Sequence, residues 1–155
     1  MAKSPGNQCV QEYDAVVVGA GFAGMYILYK LLRLGLKVIV LEEATGVGGT
    51  WYWNRYPGAR CDVESMEYSY SFSDDLQQEW EWSYRFSTQP EILEYANHVA
   101  DRFNLRDSIK FNSRVESAMY NESIKRWIVM TDSGESFSSK YCVMATGTLS
   151  TVNLP

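Results

Sequence analysis

A chain of 155 residues, 46% hydrophobic and 21% charged, is about one domain and large enough to bury a proper core. Its net charge of −5, without any basic block, argues against nucleic acid and against an anionic membrane surface. The longest apolar stretches are strand-length, too short to span a bilayer.

Met1 to Gln11 is polar and lacks an apolar core, so it shows no secretory signal. Residues 1–12 read as a flexible terminus. Asp14 to Val18 is short, β-branched and apolar, as a strand buried on both faces should be. Gly19-Ala20-Gly21-Phe22-Ala23-Gly24 follows. There the first glycine turns the chain, and the second lets a pyrophosphate approach the backbone. Gly24 lets a helix pack close to the strand. That helix, Phe22 to Leu34, carries Met25, Leu28, Leu31 and Leu32 at helical spacing and stops at Gly35. Its free N–H groups and dipole would face the anion.

Lys37 to Leu41 reads as a second parallel strand ending in Glu42, which completes a βαβ unit. A carboxylate there can accept bonds from both ribose hydroxyls and would repel a 2′-phosphate. The site therefore suits FAD or NAD better than NADP. The alternative is a tight turn in an ordinary α/β protein, which leaves Glu42 unexplained.

Glu43 to Asp75 is rich in Gly, Tyr and Trp without clean periodicity, and a loop that long is usually functional. Within it, Gly46-Val47-Gly48-Gly49-Thr50-Trp51 offers backbone amides to a second anionic or planar group; alone it would also fit a flexible turn, but its place directly after the ribose acid favours a cofactor role. The run Trp51 to Asp62 contains aromatics, Arg55, Arg60 and an acid, enough to wall a flat ring with a charge beside it. A surface loop pinned by aromatics, with Asp62 capping a short helix across to Ser65, fits those residues equally well.

Gln89-Pro90-Glu91 opens another helix, ending near Asn104. Ile109 to Phe111 is a short strand. Val115 to Tyr120, Trp127 to Thr131 and Ser136-Phe137 form a three-stranded meander. Tyr141 to Ala145 is a further buried parallel strand ending in Thr146-Gly147. Ligands of open α/β sheets gather at that edge, although a plain strand-ending turn would look similar. The expected fold is α/β: a Rossmann-like domain with a parallel sheet, crossover helices and a β-meander.

Cys9, Cys61 and Cys142 are odd in number, dispersed and without C-x-x-C. That suits a reducing cytoplasm and gives neither a disulfide framework nor a zinc site. Cys142 is most simply a small core residue. His98, the only histidine, falls in a helical pattern, which makes a Ser-His-Asp, Cys-His or metal mechanism improbable.

The run Gly48 to Asp62, Gly-Gly-Thr-Trp-Tyr-Trp-Asn-Arg-Tyr-Pro-Gly-Ala-Arg-Cys-Asp, resembles the flavin loop of Baeyer–Villiger monooxygenases. These are FAD- and NADPH-dependent enzymes of the flavin-containing monooxygenase class. The resemblance continues through Glu67 to Ser73, Gln89 to Leu93 and Ala145 to Ser150, and covers almost everything from Tyr13. It implies that residues 13–155 are an FAD-binding domain. Gly19, Gly21, Phe22, Ala23 and Gly24 would then lie at the FAD pyrophosphate and Glu42 at the adenosine ribose. Gly49, Thr50 and Trp51 would run along the flavin, with Asp62, Val63 and Tyr68 at its reactive end. Val115 would touch the adenine side, and Ala145, Thr146 and Gly147 would close over the cofactor.

In that family, NADPH reduces FAD, O2 gives a C4a-peroxyflavin, and a ketone becomes an ester or lactone. The acid matching Asp62 positions a catalytic arginine. The family's F-x-G-x-x-x-H-x-x-x-W-P motif, NADPH domain, catalytic arginine and C-terminal return are not found in these 155 residues. Arg55 and Arg60 match loop arginines instead. The expectation is therefore the FAD-binding portion of a ketone monooxygenase, catalytically incomplete alone, with the remaining domains as its partners. Two alternatives are a fragment of an N- or S-oxygenating flavin monooxygenase and a non-catalytic binding module.

Overall fold

Four buried residues, Ala15 to Val18, form the centre of the fold, with all the larger elements arranged around them. The structure is a computed structural model and describes residues 10–149. Strand β1 runs Gln11–Val18, helix α1 Phe22–Arg33, and strand β2 Val38–Leu41. Next come a one-turn helix α2, Thr50–Trp53, a 3₁₀ turn Ser65–Tyr68, and short helix α3, Asp74–Glu79. Helix α4 is Gln89–Arg102, followed by a 3₁₀ turn Leu105–Ser108 and strands β3 Ile109–Lys110, β4 Val115–Asn121, β5 Arg126–Thr131 and β6 Ser136–Met144.

The six strands lie in the order β3-β2-β1-β6-β5-β4. The β3-β2-β1-β6 half is parallel. The β6-β5-β4 half is an antiparallel meander. Alternate residues of β1 and β2 face opposite sides, as the two-residue period of a strand requires. Ala15, Val17, Val38 and Val40 pack on Met25 and Leu28 of α1 and on Ala96 and Ala100 of α4. Val16, Val18, Ile39 and Leu41 pack instead on Val129 and Phe137 of the meander. A parallel sheet covered on both sides explains the uninterrupted apolar runs.

Several expectations are corrected. The terminus does not stay free to residue 12: Gln11, Glu12 and Tyr13 already pair with Phe137, Ser138 and Ser139. Residues 1–9 lie outside the described residues. Ser136-Phe137 and Tyr141 to Ala145 are not two strands either. Ser136-Phe137 and Tyr141 to Met144 belong to one nine-residue strand, β6, and Ala145 follows it. Its Ser136–Ser139 part pairs with β5, while Phe137–Met144 pairs with β1. The polar stretch Ser138-Ser139-Lys140 concealed this continuity, because Ser138 and Ser139 are buried with their backbone in the ladder. The distal part of β6 is not buried throughout: Tyr141 is 60% and Met144 58% exposed. Cys142 does pack into the core beside Val16, and burial raises its thiol pKa.

The long aromatic segment folds back and attaches to the stretch before α4. Cys61 N–H donates to the Ser87 carbonyl (3.0 Å), Ser65 N–H to Arg85 (2.8 Å), and Gln89 N–H to Ala59 (2.8 Å). Arg60 and Thr88 form an antiparallel bridge, and the Ser65 and Ser87 hydroxyls meet at 2.7 Å. Asp62 does not cap the turn at Ser65: Glu64 precedes it, without a side-chain cap bond.

Candidate functional site

The carboxyl ends of β1, β2 and β6 meet one another, and their next residues are Gly19, Glu42 and Ala145. Gly19 N–H donates to the Leu41 carbonyl and Ala145 N–H to the Val18 carbonyl, both at 2.9 Å. A Cβ on Gly19 would stand 2.6 Å from the Ala145 oxygen, and one on Gly24 only 1.9 Å from the Gly19 oxygen. Both glycines are therefore explained by packing within the protein. Gly21 is different. A Cβ there would make only ordinary contact, 3.5 Å from Gly49 Cα. Packing leaves its small size unexplained, whereas a ligand approaching the backbone at the start of α1 accounts for it. The helix start carries no side-chain cap bond.

The second glycine loop lies against the first. Gly48 N–H donates to the Ala20 carbonyl at 3.1 Å, and a Cβ on Gly49 would come within 2.9 Å of Gly21 Cα. Tyr52 braces this loop from behind, its hydroxyl 2.6 Å from Thr45 Oγ1 and Arg55 stacked 4.6 Å over its ring. The Thr45 bonds hold the Tyr52 phenol pKa below its ordinary value.

Glu42 is only 5% exposed. Its Oε2 accepts from Ala20 N–H (2.5 Å) and its Oε1 from Ala44 N–H (2.8 Å). These bonds fix the carboxylate. Each oxygen accepts more than one bond, so hydroxyl groups of a ligand can still be met.

A cleft of about 1060 Å³ opens over these loops. Its walls bring together Gly19, Gly21, Phe22, Ala23, Glu42, Gly49, Thr50, Trp51, Tyr68, Val115, Ala145, Thr146 and Gly147. Gly24 lies behind the wall, against the Gly19 carbonyl. Asp62 and Val63 are not in the lining; both are exposed. Burial raises the Tyr68 phenol pKa, a hydrogen bond with the Trp51 side chain opposes this, and the neighbouring Cys61 and Asp62 add to the rise. Val115 lies at an irregularity in the β4–β5 register, where a bulge re-aims a side chain.

The walls also include Trp53 of the aromatic run, and Glu43, Ser113, Arg114, Met144 and Leu149, which sequence reasoning did not single out. Glu43 and Arg114 directly flank residues that were singled out. Met144 and Leu149 flank the Ala-Thr-Gly turn. At the aromatic end, Trp51 and Tyr68 meet edge to face at 5.5 Å, and Phe22 stands 5.8 Å from Tyr68. Gln89 Nε2 donates to the Trp51 carbonyl at 2.5 Å. The Tyr70 hydroxyl donates to the Phe22 carbonyl at 2.5 Å, and burial, then Tyr95, pushes its phenol pKa well up. Among the described residues no group of acids, cysteines and histidine is arranged to hold a metal ion, and no helix is long and apolar enough to cross a membrane.

The family profile of NAD(P)-binding Rossmann-like domains matches residues 17–81. A Baeyer–Villiger monooxygenase of Pseudooceanicola batsensis is 52% identical over 145 residues, which are 93% of this chain and 27% of the relative. The solved structure of an oxidized steroid monooxygenase bound to NADP superposes with a TM-score of 0.90 at 57% identity, covering 94% of this chain and 28% of that one. Over this span the chain matches the N-terminal part of Baeyer–Villiger monooxygenases. A phenazine N-monooxygenase of Lysobacter antibioticus is also similar, at 46% identity over 93% of this chain and 27% of its own length. The chain thus spans about a quarter of the curated relatives it matches, at their N-terminal part.

Proposed function

We propose that the cleft holds FAD and that the chain is the FAD-holding part of an NADPH- and O2-dependent monooxygenase converting ketones to esters or lactones. The observation that carries this is the gap at Gly21, which protein packing leaves unexplained, beside a carboxylate already fixed by two amides. The backbone amides at the start of α1 would take the pyrophosphate, and Glu42 the adenosine ribose. Val115 would lie toward the adenine, with Thr50 and Trp51 along the isoalloxazine. Tyr68 would stand at its reactive end, and Ala145, Thr146 and Gly147 would close the strand edge. The flavin would supply two-electron redox chemistry and reaction with O2.

The chain's own share is to bind, to orient and to exclude water. Trp51, Phe22 and Tyr68 make an apolar wall at the flavin end. Asp62 and Val63, outside the wall, would border that end; Asp62 is a positioning residue for a cation contributed from beyond this chain. The domain is residues 11–155, with NADPH and ketone sites supplied by the remaining domains. The dispersed cysteines, of which Cys61 and Cys142 are free, suit a cytoplasmic setting. The net charge of −5 argues against nucleic acid as a partner.

Titrating the purified chain with FAD should give a bound-flavin absorbance band and quenched flavin fluorescence. Glu42→Ala should weaken that binding by about tenfold or more, from the loss of ribose hydrogen bonds. A chain that leaves the flavin spectrum unchanged overturns the reading. Because a phenazine N-monooxygenase is 46% identical, N-oxygenation is the second reading. Assaying the longer protein with ketones against aromatic amines separates the two. NADPH consumption coupled to ester formation by the 155-residue chain alone would show that it is catalytically complete.

A further inference from the structure

The cleft wall contains one Lys or Arg side chain among the described residues, that of Arg114, and neither the fingerprint nor the flavin loop accounts for it. Its backbone is fixed on both sides. Asn112 N–H donates to the Ala44 carbonyl (3.1 Å), Ser113 N–H to the Glu42 carbonyl (2.8 Å), and Asp132 N–H to the Arg114 carbonyl (2.9 Å). The loop before β4 is thereby tied to the end of β2, immediately beyond the carboxylate assigned to the ribose. The Arg114 side chain is 64% exposed. Its one ion pair among the described residues is loose: Nε stands 4.0 Å from Glu43 Oε1, and Glu43 is itself 58% exposed. Such a pair contributes little, so swinging the guanidinium away from it costs little.

What kind of group this guanidinium meets follows from the local charge. Glu42 and Glu43 outnumber Arg114, so a phosphate at this end would be repelled on balance. A neutral planar ring would not be. A guanidinium is flat, weakly hydrated and stacks on π faces, which an ammonium cannot do as well. We propose that Arg114 is the adenine-recognition residue of the cleft: its guanidinium leaves Glu43 and stacks on the purine face of the dinucleotide. This rests on the FAD reading above and adds the residue that would select a dinucleotide over a mononucleotide flavin.

The test is flavin-fluorescence titration of the full 155-residue chain and its variants with FAD and with FMN, which lacks the adenosine half. Arg114→Ala should weaken FAD on the order of 5- to 30-fold, the span from an exposed to a desolvated cation–π contact, and leave FMN affinity unchanged. Arg114→Lys should recover only a small part of the loss, and urea midpoints should not move, since the side chain is exposed. Unchanged FAD affinity in Arg114→Ala overturns the assignment, as does an equal loss for FMN. Full recovery by Arg114→Lys overturns stacking in favour of a point charge. Tighter binding of 2′,5′-ADP than of 5′-ADP also overturns the proposal, by showing that the cation takes a phosphate. If the wild-type chain binds neither flavin, the FAD reading itself fails; if it binds FAD and only the Arg114 outcomes fail, that reading stands without the assignment.

Discussion

The two ends of the cleft are built from different materials. At the strand-edge end, Gly19, Glu42, Ser113 and Ala145 are located by backbone hydrogen bonds between β1, β2, β6 and the loop before β4. At the aromatic end, Trp51, Phe22 and Tyr68 are located by ring contacts and by two side-chain bonds from elsewhere, Gln89 to the Trp51 carbonyl and Tyr70 to the Phe22 carbonyl. The first end follows from the sheet and tolerates change at many side chains. The second depends on a few residues whose loss would leave the sheet intact.

The largest expected effect tests the first end. Gly24→Ala forces a Cβ onto the Gly19 carbonyl and should destabilise the chain by about 3 kcal/mol in urea unfolding, at the upper end of overpacking costs. Gly21→Ala should cost under about 1 kcal/mol and yet weaken FAD. Equal destabilisation by the two variants would break the distinction between a packing glycine and a ligand glycine. Next in size is Gln89→Ala. It leaves the buried Trp51 carbonyl without that bond and should cost about 2 kcal/mol, with a shift in tryptophan emission and with strand-edge amide exchange unchanged. Loss of protection in β1 and β2 would show that the ends are not separable.

Tyr70→Phe should be smaller still, about 1 kcal/mol for one neutral hydrogen bond, read as a lowered Tm. The smallest concerns acid. The Lys37 amide, then the Lys140 side chain, hold the Asp14 carboxyl below its ordinary value of 3.8. A depressed acid stabilises above its unfolded pKa, and the contribution disappears as pH falls through the folded pKa. Tm should therefore fall below about pH 4, and Asp14→Asn should flatten that decline; an unaltered acid limb would discount the contact.

The same division governs how much could be read in the sequence. The strand-edge end was legible because a βαβ unit ties glycine spacing, apolar runs and a terminal acid to one geometry. Glu42 was legible as a position, but its two amide partners were not, since Ala20 and Ala44 carry no side-chain code for them. At the aromatic end residue types announced a wall, while which residues form it depends on contacts across long separations. Asp62 shows this: it is adjacent to Cys61, which is buried against Trp51, yet it is itself exposed and outside the cleft lining. Arg114 was missed because a lone arginine before a strand looks like any solvated charge. Helix α3 was missed as well, because its main local mark is Ser73 accepting from Leu76 N–H within a segment lacking periodicity.

Strand β6 joins what would otherwise be two subdomains. The antiparallel meander holds its beginning, β1 holds nearly its whole length, and it delivers Ala145 to the cleft. Slipping the meander register by one residue would turn every β6 side chain to the other face and carry the Ala-Thr-Gly turn away from Gly19. The turn at Asp132 to Glu135, which joins β5 to β6, thus helps set the alignment of the nucleotide edge. Meander and nucleotide fold share one continuous sheet, so exchanging either for a homologous piece requires keeping the other's register.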